Sequence, residues 1–167
     1  MRTRTALGRA AIALAAGVAL MFGFAGTATA APAAKTTVIR PQDTGAHLTG
    51  ASVTFFTFND DKDFDTFVRV ELREDTGRLA GVTSGFFGVF PDQSTRGPFT
   101  MTARSSATWD ALSDGQVHIS ITPNGNDTWK FGFQVDMTFS DGSFEQLFVP
   151  FTVLSQSNRD GFYDILF

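Results

Sequence analysis

The residues best placed to do chemistry are acids and amides. Asn59-Asp60-Asp61-Lys62-Asp63-Phe64-Asp65-Thr66 puts four carboxylates into six residues between two apolar runs. Like charges this close repel unless a cation or solvent separates them. Asp60, Asp61, Asp63 and Asp65 offer the hard oxygen ligands that calcium takes. The spacing is not that of an EF-hand, because Thr66 stands where that loop needs its glycine. Two readings stay open: a calcium site, or a solvated acidic turn that protects a sheet edge. A second polar stretch, Pro123-Asn124-Gly125-Asn126-Asp127-Thr128, precedes Trp129. Alone it reads as a tight turn stabilised by its Asn and Asp side chains. It joins a calcium site only if it lies beside the first stretch, so Asn124, Asn126 and Asp127 complete the candidate ligand set.

Gly85-Phe86-Phe87-Gly88-Val89-Phe90-Pro91 is the third feature. Read as a strand, it turns Phe86 and Phe87 to opposite faces. Phe64, Phe67, Phe86 and Phe87 are the candidate contacts for a lipid, protein or glycan partner.

Catalytic patterns are sparse. G-x-S-x-G, H-E-x-x-H and phosphate-cradling glycine loops are all missing from the sequence. No Cys is present, which removes thiol catalysis and thiolate metal sites, and His47 and His118 are the only imidazoles. Both histidines read as solvent-facing. Asp136 or Glu145 offers a carboxylate for hydrolysis, with no evident second acid. The expectation is a protein that is not an enzyme, with no catalytic residues and no organic cofactor.

The elements that position these residues are strands. Val68, Val70 and Leu72 alternate with Arg69, Glu71 and Arg73, and Val117, Ile119 and Ile121 alternate with His118 and Ser120. Phe131, Phe133, Val135, Met137 and Phe139 form the longest such face. Asp141-Gly142 marks a hairpin, expected as a type I′ turn, into a strand over about 144–154. Pro150 places part of that strand at an edge or bulge. Further strands are predicted near 51–58, 78–83, 85–90, 98–104 and 161–166, with one short helical turn at 107–112 capped by Thr108. The fold class is all-β: an antiparallel β-sandwich of about eight strands, with a closed β-barrel as the alternative.

Residues 1–30 read as a secretory signal peptide. Arg2, Arg4 and Arg9 precede an apolar run, and Ala28-Thr29-Ala30 is a small-residue cleavage signal. The rival reading, a membrane anchor, needs about 20 apolar residues. Residues 31–45 read as a flexible linker and 46–167 as a single domain. Losing Arg2, Arg4 and Arg9 with the leader takes the net charge from −4 to −7. That balance excludes nucleic acid as a partner bound by bulk charge. Roughly 135 residues remain, enough for a core without disulfides. The expected location is extracellular, with no transmembrane segment after cleavage.

The order of segments resembles the PLAT family. Ala51-Ser52-Val53-Thr54-Phe55 leads into the acidic loop, and Asp65-Thr66-Phe67-Val68-Arg69-Val70-Glu71-Leu72 follows. Then come Gly97-Pro98-Phe99-Thr100-Met101, the segment from Leu112 to Ile121, and Asn126-Asp127-Thr128-Trp129-Lys130-Phe131. The resemblance spans about residues 50–140. It implies an eight-stranded β-sandwich that attaches proteins to lipids, membranes or other proteins. Several members bind calcium through the two loops that here hold Asp60, Asp61, Asp63 and Asp65, and Asn124, Asn126 and Asp127. Asp63-Phe64 replaces the family's Gly-Thr, and Lys130 replaces an apolar residue after the Trp. The reading as a whole is a secreted, non-catalytic binding domain, calcium-dependent if the ion site forms. The alternatives are a small extracellular hydrolase, and an extracellular inhibitor or structural protein with no ion site.

Overall fold

The computed structural model describes residues 45–167. The predicted signal peptide and nearly all of the linker lie outside the described residues. Eight strands and one helix follow in order: β1 Leu48–Asp60, β2 Phe67–Arg73, β3 Leu79–Gly85, β4 Thr95–Ala103, α1 Trp109–Ser113, β5 Gln116–Thr122, β6 Thr128–Phe139, β7 Phe144–Ser155 and β8 Asp160–Asp164. All the pairings are antiparallel.

The strands form one sheet in the order β7-β6-β1-β4-β3-β2-β5-β8. The two outermost strands are consecutive in sequence, so the short 156–159 connection brings the sheet's edges together. The hydroxyls of Thr152 on β7 and Tyr163 on β8 lie 2.5 Å apart. The all-β, eight-stranded reading holds, and its barrel alternative describes the architecture: one sheet curled nearly closed.

Alternation decides which side chains fill the interior. Val53 and Phe55 on β1, Val68, Val70 and Leu72 on β2, Val117 and Ile119 on β5, and Phe131, Phe133, Val135 and Met137 on β6 are all fully buried. Each large apolar side chain of this kind contributes about 1.5–3 kcal/mol on burial. Phe55 is the hub. Its ring centroid lies 5.6 Å from Phe90, 5.1 Å from Trp129 and 5.9 Å from Phe131. The buried Trp129 indole N–H donates to Thr57 Oγ1 at 3.1 Å, so the core carries no orphaned donor there.

Three local expectations change. Residues 85–90 are not a strand: β3 ends at Gly85, and only Phe90 bridges, to Lys62. Phe87 and Gly88 have φ of +56° and +77°, which breaks any extended run. The Asp141-Gly142 turn has only Gly142 at positive φ (+82°), whereas type I′ needs two such residues. Gly142 N–H donates to Phe139 O and Phe139 N–H to Ser143 O, the pattern of a type I turn closed by a left-handed glycine. His118 lies on the outer face but is half-buried there, with a carboxylate at each ring nitrogen. By contrast, Pro150 sits on an edge strand beside a register shift, and Thr108 Oγ1 caps α1 by accepting from Ala111 N–H.

Candidate functional site

The antiparallel order puts the 61–66, 86–94, 123–127 and 156–159 connections at one end of the barrel. The two polar loops do meet there. Asn124 Nδ2 donates to Asp65 Oδ2 at 3.0 Å, and Thr66 Oγ1 donates to Asp127 Oδ2 at 2.5 Å. The backbone carbonyl of Asp127 also accepts from Gln156 N–H, which ties in the 156–159 turn.

The centre of this junction is Lys62. Its side chain is fully buried. Nζ donates to the carbonyls of Asp63, Thr66 and Phe86 at 2.8, 3.1 and 2.7 Å. It also lies 4.9 Å from the centroid of the Phe90 ring. Backbone bonds between Lys62 and Phe90 run in both directions, at 3.2 and 3.0 Å. Three donors on an ammonium thus meet three carbonyls, which uses its whole capacity. Burial pushes the Lys62 amine down to about 8, against the opposing pull of Asp127, Asp63 and Asp65. Desolvation, followed by the charges of Asp127, Asp61 and Asp65, raises the Asp63 carboxyl, and Lys62 offsets part of this.

The predicted ligands divide accordingly. Asp127 is buried against Thr66, and Asp65 is half-buried against Asn124. Asp60 ends β1 and pairs with Lys130 Nζ at 2.6 Å. Asp61, Asp63, Asn124 and Asn126 are exposed. Among the described residues, no three His, Cys, Asp or Glu side chains are grouped as a metal would hold them. At the loop centre the converging carbonyls are taken by the tethered ammonium of Lys62. Sequence reasoning missed Lys62. The available signal was a single cation set among four acids, in a loop whose like charges need one.

The predicted contact residues also divide. Phe64 and Phe86 are 67% and 54% exposed. Phe67 is half-buried and meets Phe86 edge-on at 5.3 Å. Phe87 is half-buried and packs on Phe99 at 4.4 Å. The rim therefore presents Phe64, Phe86 and Val89 outward, beside Asp61 and Asp63.

A second charged cluster lies on the outer wall of β2, β5 and β8. Glu71 is buried and accepts from Arg69 Nε at 2.7 Å, from Arg73 Nε at 2.9 Å and from Arg73 Nη2. His118 Nδ1 lies 3.2 Å from Glu71 Oε2, and its Nε2 lies 2.8 Å from Asp160 Oδ1. Phe162 stacks on the imidazole at 4.4 Å. Asp136 and Glu145 face opposite sides of the sheet. Asp136 accepts from Gln134 and Gln146 outside, and Glu145 accepts from Trp109 Nε1 within.

Comparison with protein-family models, with curated proteins and with solved structures finds no match to this chain.

Proposed function

We propose that the chain is a secreted, non-catalytic binding domain that engages a protein partner with the loop end of its barrel. The observation that carries this is the rim itself: Phe64 and Phe86 are held outward on loops that Lys62 and Asp127 tie together. A solvent-exposed apolar pair on a fixed scaffold is the usual anchor of an interface. The flanking Asp61 and Asp63 favour a partner surface that is apolar and cationic. They disfavour an anionic lipid surface by the same sign of charge. Of the PLAT-like reading, this proposal keeps the placement of two loops at one end, and it gives the ordering role to Lys62 in place of calcium. The hydrolase alternative is weaker, because both nitrogens of His118 are engaged by carboxylates.

The test is direct. An amphipathic lysine–leucine peptide should bind the protein, and high salt should weaken the complex. A Phe64→Ser/Phe86→Ser double variant that melts like the parent should bind about tenfold more weakly or worse. Equal binding by the double variant would remove the rim from the function. Melting temperature should not respond to calcium or to a chelator. A chelator-reversible rise would return calcium to the site.

A further inference from the structure

We propose that a groove on the barrel's outer wall, between the end of β1 and the start of β4, binds a neutral oligosaccharide. It is lined by Phe56, Phe58, Asn59, Gln93, Ser94 and Thr95, together with Thr57, and has a volume of about 530 Å³. That volume lies within the range of small-molecule sites, about 300–1,000 Å³.

The sequence builds the floor by breaking its own pattern. Along β1 the inward residues are Val53, Phe55 and Thr57, so Thr54, Phe56 and Phe58 point outward. Two aromatic rings thus occupy a face that carries Ser52 and Thr54 further back on the strand. Gly132 on β6 lies opposite Phe56. A Cβ there would come within 2.7 Å of Pro150 O, so no side chain stands between β1 and β7 at this level. Rings from the two strands meet across the gap. Phe56 and Phe148 are 6.0 Å apart, and Phe58 and Phe151 are 5.6 Å apart. Phe58, Phe148 and Phe151 all remain exposed.

The wall is fixed and polar. Gln93 has φ +54°, an uncommon backbone state for a residue other than glycine. Its N–H donates to Phe58 O at 2.7 Å, and Thr57 N–H donates to Ser94 O at 2.8 Å. Ser94 Oγ donates to Pro91 O at 2.6 Å. Among the described residues, the side chains of Asn59, Gln93 and Thr95 take part in no hydrogen bond. Three neutral polar groups therefore stand ready beside an aromatic shelf.

The lining selects the ligand. It contains no charged side chain, so a charged ligand finds no counter-charge there. An acyl chain would desolvate the two amides and the Thr95 hydroxyl without replacing their water. A neutral sugar has both parts required: a face of C–H groups to lie on the rings, and a rim of hydroxyls to exchange hydrogen bonds with Asn59, Gln93 and Thr95. This surface shares no residue with the Phe64–Phe86 rim, and the inference does not depend on the function proposed for that rim.

The experiment is a binding screen of the protein against soluble neutral oligosaccharides, including β-1,4- and α-1,4-glucans and β-1,4-mannans, with acidic oligosaccharides beside them. At least one neutral chain is expected to bind at millimolar concentration, with affinity insensitive to salt. Phe58→Ala and Gln93→Ala should each weaken it about tenfold, the effect of losing one good contact. Phe64→Ser should leave it unchanged. The proposal fails if no neutral oligosaccharide binds, if only acidic ones do, or if both groove variants bind like the parent. Both substitutions lie on exposed positions, and melting curves that match the parent verify that folding is intact.

Discussion

Lys62 shows how a single residue can change the reading of a loop. The four aspartates around it suggest an ion from solution; in the structure the cation that meets the loop's converging carbonyls is the Lys62 ammonium. A lysine among acids reads as a solvated charge, because nothing local to the sequence reveals that Phe86 and Phe90 will close over it. Two consequences follow. Replacing Lys62 with Met leaves three carbonyls without their donor, that of Thr66 buried and those of Asp63 and Phe86 part-buried, and an unmet buried acceptor costs about 1–3 kcal/mol. Partial access of water should hold the total near 2–3 kcal/mol, read as a lower urea midpoint with an unchanged slope. The second consequence concerns pH. The folded amine titrates near 8 and the unfolded one near 10.5. Between those values the unfolded chain binds a proton that the folded chain lacks, so this group's contribution to stability rises with pH. Urea midpoints measured from pH 8 to 9.5 should show that rise in the parent and lose it in Lys62→Met. A rise of the same size in the variant would mean that another group is responsible.

At the scale of elements, period-two alternation made most strands legible, since each buries one face and wets the other. Alternation places Arg69, Glu71, Arg73 and His118 on the outer face of β2 and β5 but says nothing of their pairing; there neighbouring strands join them into one network around the buried Glu71. Register does this: Glu71 lies directly opposite His118, and His118 opposite Phe162. Burial alone would raise the Glu71 carboxyl, but hydrogen bonds from Arg69, Arg73 and His118 outweigh it and hold the group at about 2. Unfolded, it titrates near 4.5. Its stabilising effect is therefore complete above pH 4.5 and is lost as the pH falls towards 2. Other carboxylates also contribute to acid unfolding, so the informative quantity is a difference. The gap in stability between parent and Glu71→Gln should be widest near neutral pH and should close between pH 4.5 and 2. A gap independent of pH would show that the Glu71 charge contributes nothing. The 85–90 segment failed as a strand. Its apolar content fits a strand, and the positive φ at Phe87 and Gly88 that ends β3 has no signature in residue type at Phe87.

At the scale of the molecule, the number of strands was legible and their order was not. Nothing in the sequence places β1 between β6 and β4, because that choice is made by long-range pairing. It follows that two sheets could not be told from one. The closure of that one sheet rests on few groups. β7 and β8 are joined by their turn but share no extended ladder among the described residues. Exposed edges of this kind invite pairing with other chains, and here they are blunted by Pro150 on β7 and by the shortness of β8. Tyr163 covers the seam. Its ring meets Phe133 at 4.8 Å, and its hydroxyl bonds to Thr152 across the gap. Burial raises the Tyr163 hydroxyl above its ordinary value, as expected of a phenol lodged between strands. Two substitutions separate its roles. Tyr163→Phe removes only the hydrogen bond and should cost about 1 kcal/mol. Tyr163→Ala also removes the ring and should cost about 3 kcal/mol, the low end for deleting a large aromatic because this one is only half-buried. If the ring is what holds the seam, amide exchange in Tyr163→Ala should accelerate along β7 and β8 while β2 and β3 keep the parent's protection. Uniform acceleration over all eight strands would mean that the seam opens only when the whole barrel unfolds, and that closure is a property of the sheet's curvature and not of Tyr163.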